Sequence, residues 1–174
     1  KRKKNLRIID ISKFNFKSHH NIKINFNSLL LQSPDDKIFK KSDFKVVSKK
    51  KPNNITFNNL IFSFNVCRSV KSNAIVLTKD KTTVGIGSGQ PSRIDSCKIA
   101  INKMNKFQKN NINDEIIAAS DAFFPFTDGI EALVQAGVTA IIQPSGSIRD
   151  KDIIKFADKI GIILVFSKTR HFNH

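Results

Sequence analysis

The chain has 174 residues, and Lys and Arg outnumber Asp and Glu by 30 to 14, a net charge of +16, so it is one domain's worth of strongly basic sequence. A chain of this length can bury on the order of 70% of its unfolded surface. It has no run of about 18 apolar residues that could cross a membrane as a helix, and its basic start lacks the apolar stretch of a signal peptide. A cytoplasmic location is therefore expected, and no membrane partner. The first residue is Lys1 rather than Met, as expected of a piece of a longer protein.

The charge is uneven. Residues 1–51 hold 15 Lys and Arg against 4 Asp and Glu, whereas residues 52–174 hold 15 against 10. The excess is mostly Lys, in a chain also rich in Asn and Ile, a bias that an AT-rich genome produces without any function behind it. No recognisable nucleic-acid motif accompanies it, so a solvated basic face is the preferred reading and nucleic acid is not an expected partner. A basic module for RNA or an acidic partner stays as the alternative, beside an inactive remnant.

In chain order, residues 1–51 form a strand-rich basic segment. Short apolar stretches at 6–9, 22–26, 29–31 and 44–47 are separated by polar turns such as Gln32–Asp36, and some alternate with period two. Such strands are half exposed or lie at a sheet edge. Residues 52–174 change character. After the Lys51–Asn54 turn, Leu60, Ile61, Phe64 and Cys67 recur at three and four, which predicts an amphipathic helix over 55–70. A strand over 74–78 and another over 83–87 are joined through Asp80–Thr82, which predicts a hairpin. Ser92 is placed to cap a further helix with Asp95 as its partner, and Ile94, Ile99, Met104 and Phe107 supply its apolar face.

The polar stretch 108–114 ends that helix, and the apolar run 115–119 predicts a buried strand. A helix over 129–136 then closes at Gly137 before a strand at 138–142, and a second helix closes at Gly161 before a strand at 162–166. Glycine accepts the left-handed backbone that a helix stop needs. Ser147 and Asp150 have capping-box spacing at the start of the second helix. Continuous apolar strands between helices imply a sheet covered on both faces. The predicted class is α/β, with mixed strand directions because of the hairpin.

Between strand and helix lies Ser120-Asp-Ala-Phe-Phe-Pro-Phe-Thr-Asp128, three phenylalanines and a proline between two carboxylates. Ligands of open α/β sheets sit where such strands end, so a flat molecule could be held here. By themselves the rings read first as core, as an aromatic cluster usually is, and Asp128 could simply favour the positive end of the next helix. Gly85-Ile-Gly-Ser-Gly89 reads either as an anion-binding loop or as a structural strand end; Gln90 stands where a dinucleotide fingerprint would have its third glycine. Arg93 in a first helical turn opposes the helix dipole, which calls for a negative or carbonyl-bearing partner. Asn73 can offer an amide both a donor and an acceptor, or can serve as a turn residue. Cys67 and Cys97 have no second Cys or His at ligand spacing, so they read as small buried side chains and no zinc is implied.

The loop 120–128, together with Lys71-Ser-Asn-Ala74, Gly85–Arg93, Ile142-Gln-Pro-Ser-Gly-Ser-Ile-Arg-Asp150 and Thr169-Arg-His-Phe-Asn-His174, resembles the bifunctional purine-biosynthesis family. That family joins a phosphoribosylaminoimidazolecarboxamide (AICAR) formyltransferase to an inosine monophosphate cyclohydrolase. The resemblance runs from about Asn5 to the last residue. It implies the carboxyl-terminal part of the transformylase domain over 1–174, with residues 52–174 as the nucleotide- and folate-binding portion and the cyclohydrolase domain absent. The implied fold is a three-layer α/β/α sandwich, cytidine deaminase-like, without zinc.

The resemblance also implies formyl transfer from 10-formyltetrahydrofolate to the 5-amino group of AICAR, in a homodimer, with room for a monovalent cation. By position, Asn73, Arg93, Phe123 and Arg170 match substrate-binding residues, with Arg170 on the phosphate. Ile94, Pro125, Phe126, Asp128 and His174 match the folate side. Thr127 stands where the motif commonly has arginine, which puts the charge beside the folate in question. The family's catalytic Lys-His pair belongs to a motif upstream of this region, and His19-His20 does not match it. The chain is thus expected to bind substrates without turning them over by itself.

Overall fold

The computed structural model describes residue 7 and residues 9–13, 20–107 and 115–173. Two compact units form, Lys1–Ile38 and Phe39–His174. In the first, β1 (Asn21–Asn25) pairs antiparallel with β2 (Ser28–Gln32). Ile22 faces Leu31 and Ile24 faces Leu29 across the ladder, so these four apolar side chains share one face. Lys23, Asn21, Asn25, Ser28 and Gln32, with Leu30 as the apolar exception, form the other. The strand expected at 6–9 and the polar stretch 108–114 fall partly or wholly outside the described residues, as do His19, His174 and the side chain of Phe107.

In the second unit the elements follow in order: β3 (Phe44–Val46), α1 (Asn54–Cys67), β4 (Ile75–Lys79), β5 (Thr82–Gly87), α2 (Arg93–Phe107), β6 (Ile116–Ser120), α3 (Asp128–Gln135), β7 (Val138–Pro144), α4 (Asp150–Ile160) and β8 (Ile163–Ser167). One six-stranded sheet runs β3-β8-β7-β6-β4-β5. β6, β7 and β8 are parallel, whereas β4 is antiparallel to β5 and β6, and β3 to β8, so the sheet is mixed as expected. The hairpin turn between β4 and β5 holds Asp80 at φ 44° and Lys81 at φ 56°, the positive pair that matches strand twist in a two-residue turn. The unit begins at Phe39, upstream of the compositional change at 51, because β3 pairs with β8.

The strands sort their side chains by alternation. Val76, Ile117, Ala119, Ile142 and Val165 meet Leu60, Phe64 and Cys67 of α1 on one face. Ile75, Leu77, Ala118, Ile141 and Leu164 meet α2, α3 and α4 on the other, through Cys97, Ala100, Met104, Ile130, Leu133, Ile153 and Ala157. The α1 start is fixed by Asn53, whose side chain accepts from the Thr56 backbone N–H at 2.8 Å, while the Thr56 hydroxyl reaches Glu115 at 2.9 Å. At α4 the expected Ser147–Asp150 box forms from one side only: the Asp150 carboxylate accepts from Ser147 N at 3.2 Å, whereas Ser147 Oγ accepts from Arg149 N at 3.1 Å, and the helix begins at Asp150 behind Arg149 without a side-chain cap.

Helix α2 buries only part of its expected face, Met104 in the core with Ile94 against it. Its buried stripe is Cys97, Ala100 and Met104, with Ile94 and Ile101 packed beside it, and Ile99 stands off that stripe. The reason lies in β5. A Cβ on Gly85 would sit 2.1 Å from the Ala100 carbonyl oxygen, and one on Gly87 would sit 1.8 Å from that of Ser96. The helix rests directly on the strand, and a contact so close is filled by small side chains. Of the two readings of the glycine run, the structural one is thereby favoured.

Candidate functional site

The parallel strands β6, β7 and β8 end on one edge of the sheet, and antiparallel β4 begins there, since Ile75 pairs with Ser120. The Ser88–Ser92 loop, the phenylalanine loop, the β7–α4 loop and the chain end therefore meet at one place. A cavity of about 560 Å³ opens there, lined by Asn73, Arg93, Ile94, Phe123, Pro125, Phe126, Asp128 and Arg170, with Phe172 beside them, and the β7–α4 loop contributes none of its lining. All the expected site residues except His174, which lies outside the described residues, thus line one cavity. Gly85, Gly87 and Gly89 are not among the lining residues, and Gly89 N is bonded to the Lys71 carbonyl at 2.9 Å.

The floor is a polar network around Arg93. Its Nη1 donates to Asp121 Oδ1 at 2.5 Å and to Ser120 Oγ at 2.8 Å, and its Nη2 donates to Asn73 Oδ1 at 2.8 Å. Asn73 in turn donates through Nδ2 to the carbonyls of Gln90 at 2.9 Å and Pro91 at 3.0 Å. Both hydrogen-bonding ends of the Asn73 amide are thus engaged within the chain, so its action on a ligand is chiefly to hold the guanidinium and the loop before α2. The arginine and carboxylate side chains are 11% and 2% exposed, so this ion pair is nearly dry. Its charge is balanced at the floor, and Arg93 offers the cavity oriented N–H groups rather than net charge.

Asp121 and Ser120 are the residues that sequence reasoning did not assign. The signal was present: Arg93 called for a negative partner, and the first carboxylate of the phenylalanine loop supplies it. Which carboxylate does so depends on the β4–β6 pairing, which brings the end of β6 against the start of β4.

The three phenylalanines divide between the two readings offered for them. Phe124 is buried and lies against Gly129 at the start of α3, as core. Phe123 and Phe126 line the cavity, and each carries a guanidinium over its ring: Arg170 at 4.7 Å from the centroid of Phe123 and Arg149 at 4.6 Å from that of Phe126. Asp128 opens α3, accepts from Gly129 N through Oδ1 at 2.8 Å and is exposed where it lines the cavity. Thr127 donates its hydroxyl to Glu131 at 3.0 Å.

The chain end is stitched in rather than loose. His171 N donates to the Asp121 carbonyl at 2.9 Å, Ser72 N donates to the Asn173 carbonyl at 2.8 Å, and Asn173 N returns to Ser72 Oγ at 3.2 Å. The buried His171 ring packs on Phe64 at 4.4 Å between centroids and meets Phe39 edge-on at 5.6 Å. Alternation along this extended segment turns Arg170 and Phe172 to the cavity. A Cβ on Gly146, whose φ is +109°, would lie 2.9 Å from Arg170 Nη2, so glycine there makes room for the arginine.

Both cysteines are buried and free, as expected. Burial raises the Cys67 thiol, with a further push from Asp121 and an opposing one from Arg93. Burial likewise pushes Cys97 up to about 12, against a smaller opposing pull from Arg93. Neither is a nucleophile at neutral pH. Among the described residues, no group of three or more His, Cys, Asp or Glu side chains is arranged to hold a metal ion. No helix among them is long and apolar enough to cross a membrane.

The profile of the AICARFT/IMPCHase bienzyme family matches residues 1–103. The chain belongs to this family. Similar AICARFT/IMPCHase relatives are the proteins named bifunctional purine biosynthesis protein PurH from Lactobacillus acidophilus, 42% identical over 99% of the chain and 33% of the relative, and from Buchnera aphidicola subsp. Baizongia pistaciae, 44% identical over the same shares. The PurH protein of Bradyrhizobium diazoefficiens is 46% identical over 84% of the chain and 28% of the relative. The chain spans about a third of the length of the curated AICARFT/IMPCHase relatives it matches.

Proposed function

We propose that the cavity holds AICAR and 10-formyltetrahydrofolate, and that the chain is the carboxyl-terminal, substrate-binding part of a transformylase domain acting in purine biosynthesis. The observation that carries the reading is convergence: residues from four separate stretches of sequence, expected at one site by resemblance alone, line a single cavity. The three-layer α/β/α arrangement, cytidine deaminase-like, belongs to the same proposal, as do a cytoplasmic setting and a site completed in a homodimer.

Each residue has a chemical task in this reading. The Arg170 guanidinium is exposed, lies over Phe123 and, among the described residues, hydrogen-bonds only the Gly146 carbonyl at a long 3.5 Å, so its fork is available to a phosphate in bidentate geometry. Phe123 offers its ring to the aminoimidazole. Arg93, held by Asp121, Ser120 and Asn73, directs N–H groups at the carboxamide oxygen. Ile94, Pro125 and Phe126 supply apolar surface for a pterin, and the Asp128 carboxylate accepts from the pterin's amino and ring N–H groups.

The amine of AICAR is a weak nucleophile because ring and carboxamide withdraw its lone pair. Formyl transfer therefore needs close positioning, proton removal and stabilisation of a tetrahedral oxyanion. The residues placed here perform the positioning. A Lys-His pair, as the resemblance implies, would move the proton.

Calorimetric titration with AICAR tests the reading. Arg170→Ala removes a charge-assisted phosphate contact, and affinity should fall about 10- to 100-fold, the equivalent of 1.5–3 kcal/mol for a bond to a charged group. A parallel titration with RNA gives the opposing outcome. Salt-sensitive RNA affinity that Arg170→Ala leaves intact, with no AICAR binding, would replace the enzyme reading with the basic module.

A further inference from the structure

The reading above leaves one guanidinium at the rim of the cavity unexplained. Arg149 is exposed, belongs to the loop between β7 and α4, and lies 4.6 Å over the ring of Phe126, itself 53% exposed. Among the described residues, no carboxylate or carbonyl takes a hydrogen bond from this guanidinium. The nearest acid in sequence, Asp150, is committed to the backbone N–H groups of Gly146 at 2.8 Å and Ser147 at 3.2 Å. Meanwhile Thr127, at the position where the resemblance places an arginine, has its hydroxyl on Glu131.

A guanidinium stacked on a ring keeps its N–H edges free in its own plane, and the ring limits the rotamers it would otherwise lose on binding. That arrangement suits a carboxylate approaching from the edge. Phe126 has the same ring in the cavity lining, so an acid bound by Arg149 would be the far end of a molecule whose flat part already lies in the cavity. Folates have this shape, with a bicyclic ring at one end and the carboxylates of a glutamate at the other.

We infer that Arg149, held over Phe126, is a specificity-determining residue that takes the glutamyl carboxylates of the folate. The inference rests on the folate reading of the cavity and adds the residue that recognises the acidic end. It assigns to the β7–α4 loop the charge that Thr127 does not supply.

The test compares two stable probes by calorimetry, 5-formyltetrahydrofolate and 5-formyltetrahydropteroate, which lacks the glutamate. The wild-type chain should prefer the glutamate-bearing probe by roughly 3- to 10-fold at 50 mM salt, a modest figure because the contact is exposed and screened. Arg149→Gln should reduce that ratio to about one without weakening the pteroate, and Arg149→Lys should restore part of it. Raising the salt to 500 mM should shrink the wild-type preference and leave that of Arg149→Gln flat. Binding of both probes with a preference that Arg149→Gln does not change overturns the inference and leaves the folate reading standing. Binding of neither probe overturns the folate reading itself and this inference with it.

Discussion

The β1–β2 hairpin and the β7–β8 pair are both apolar strands, yet they end in opposite environments. Val138–Pro144 and Ile163–Ser167 are buried almost throughout, with side chains of both parities covered by helices. In the hairpin, Ile22, Ile24, Leu29 and Leu31 share one face and remain 59%, 76%, 61% and 58% exposed. The hydrophobic pattern does not by itself separate them: β1 alternates, but β2 carries the continuous run Leu29–Leu31 and is exposed all the same. Alternation reports that one face of a strand can be dry, but drying it takes a second layer, and two strands alone are only marginally stable in water. The comparison teaches that apolar content makes a strand, and cover makes a core.

The largest effect is expected where the covered sheet also buries charge. Asp121→Ala leaves the Arg93 guanidinium without its counter-charge in a nearly dry floor and should cost about 3–5 kcal/mol in urea unfolding, beside weakened AICAR binding. A loss comparable to that of a surface acid would mean that water replaces the carboxylate easily. Next, Ile142→Ala in β7 should lose about 2–5 kcal/mol by removing a fully buried side chain between α1 and the sheet.

Hydrogen exchange sharpens the contrast without mutation. Backbone amides of Ile141 and Ile142 should exchange only through global unfolding, whereas those of the hairpin should exchange by local opening. Equal protection in the two would show that the hairpin is covered in solution.

A pH series examines the buried face of α2. The Cys97 thiol lies near 12 in the folded protein against an ordinary 9, so folding favours its neutral form. Stability from this group is intact below about pH 9 and is lost as pH rises toward 12, where the unfolded thiol ionises first. Cys97→Ala should reduce the slope of stability against pH across that window. The smallest effect belongs to the hairpin: Ile24→Ala should change stability by no more than about 0.5 kcal/mol. A loss several times larger would end the contrast between the two regions.

Much of this architecture was written locally. The apolar runs at 115–119, 138–142 and 162–166 announce strands dry on both sides. The Leu60–Phe64–Cys67 spacing announces a helix with one buried face, and the glycines at 137 and 161 mark where helices stop. These signals survive in sequence because each depends on the environment of a single element, and residues two, three or four apart record it. Which carboxylate answers Arg93, the small residues of α2 beneath Gly85 and Gly87, the docking of His171 on Phe64 and the stacking of Arg149 on Phe126 left no such record. Each is a contact between residues far apart in the chain, set by the order of strands in the sheet, and strand order is decided by which faces and edges can be covered together, a property of the whole fold.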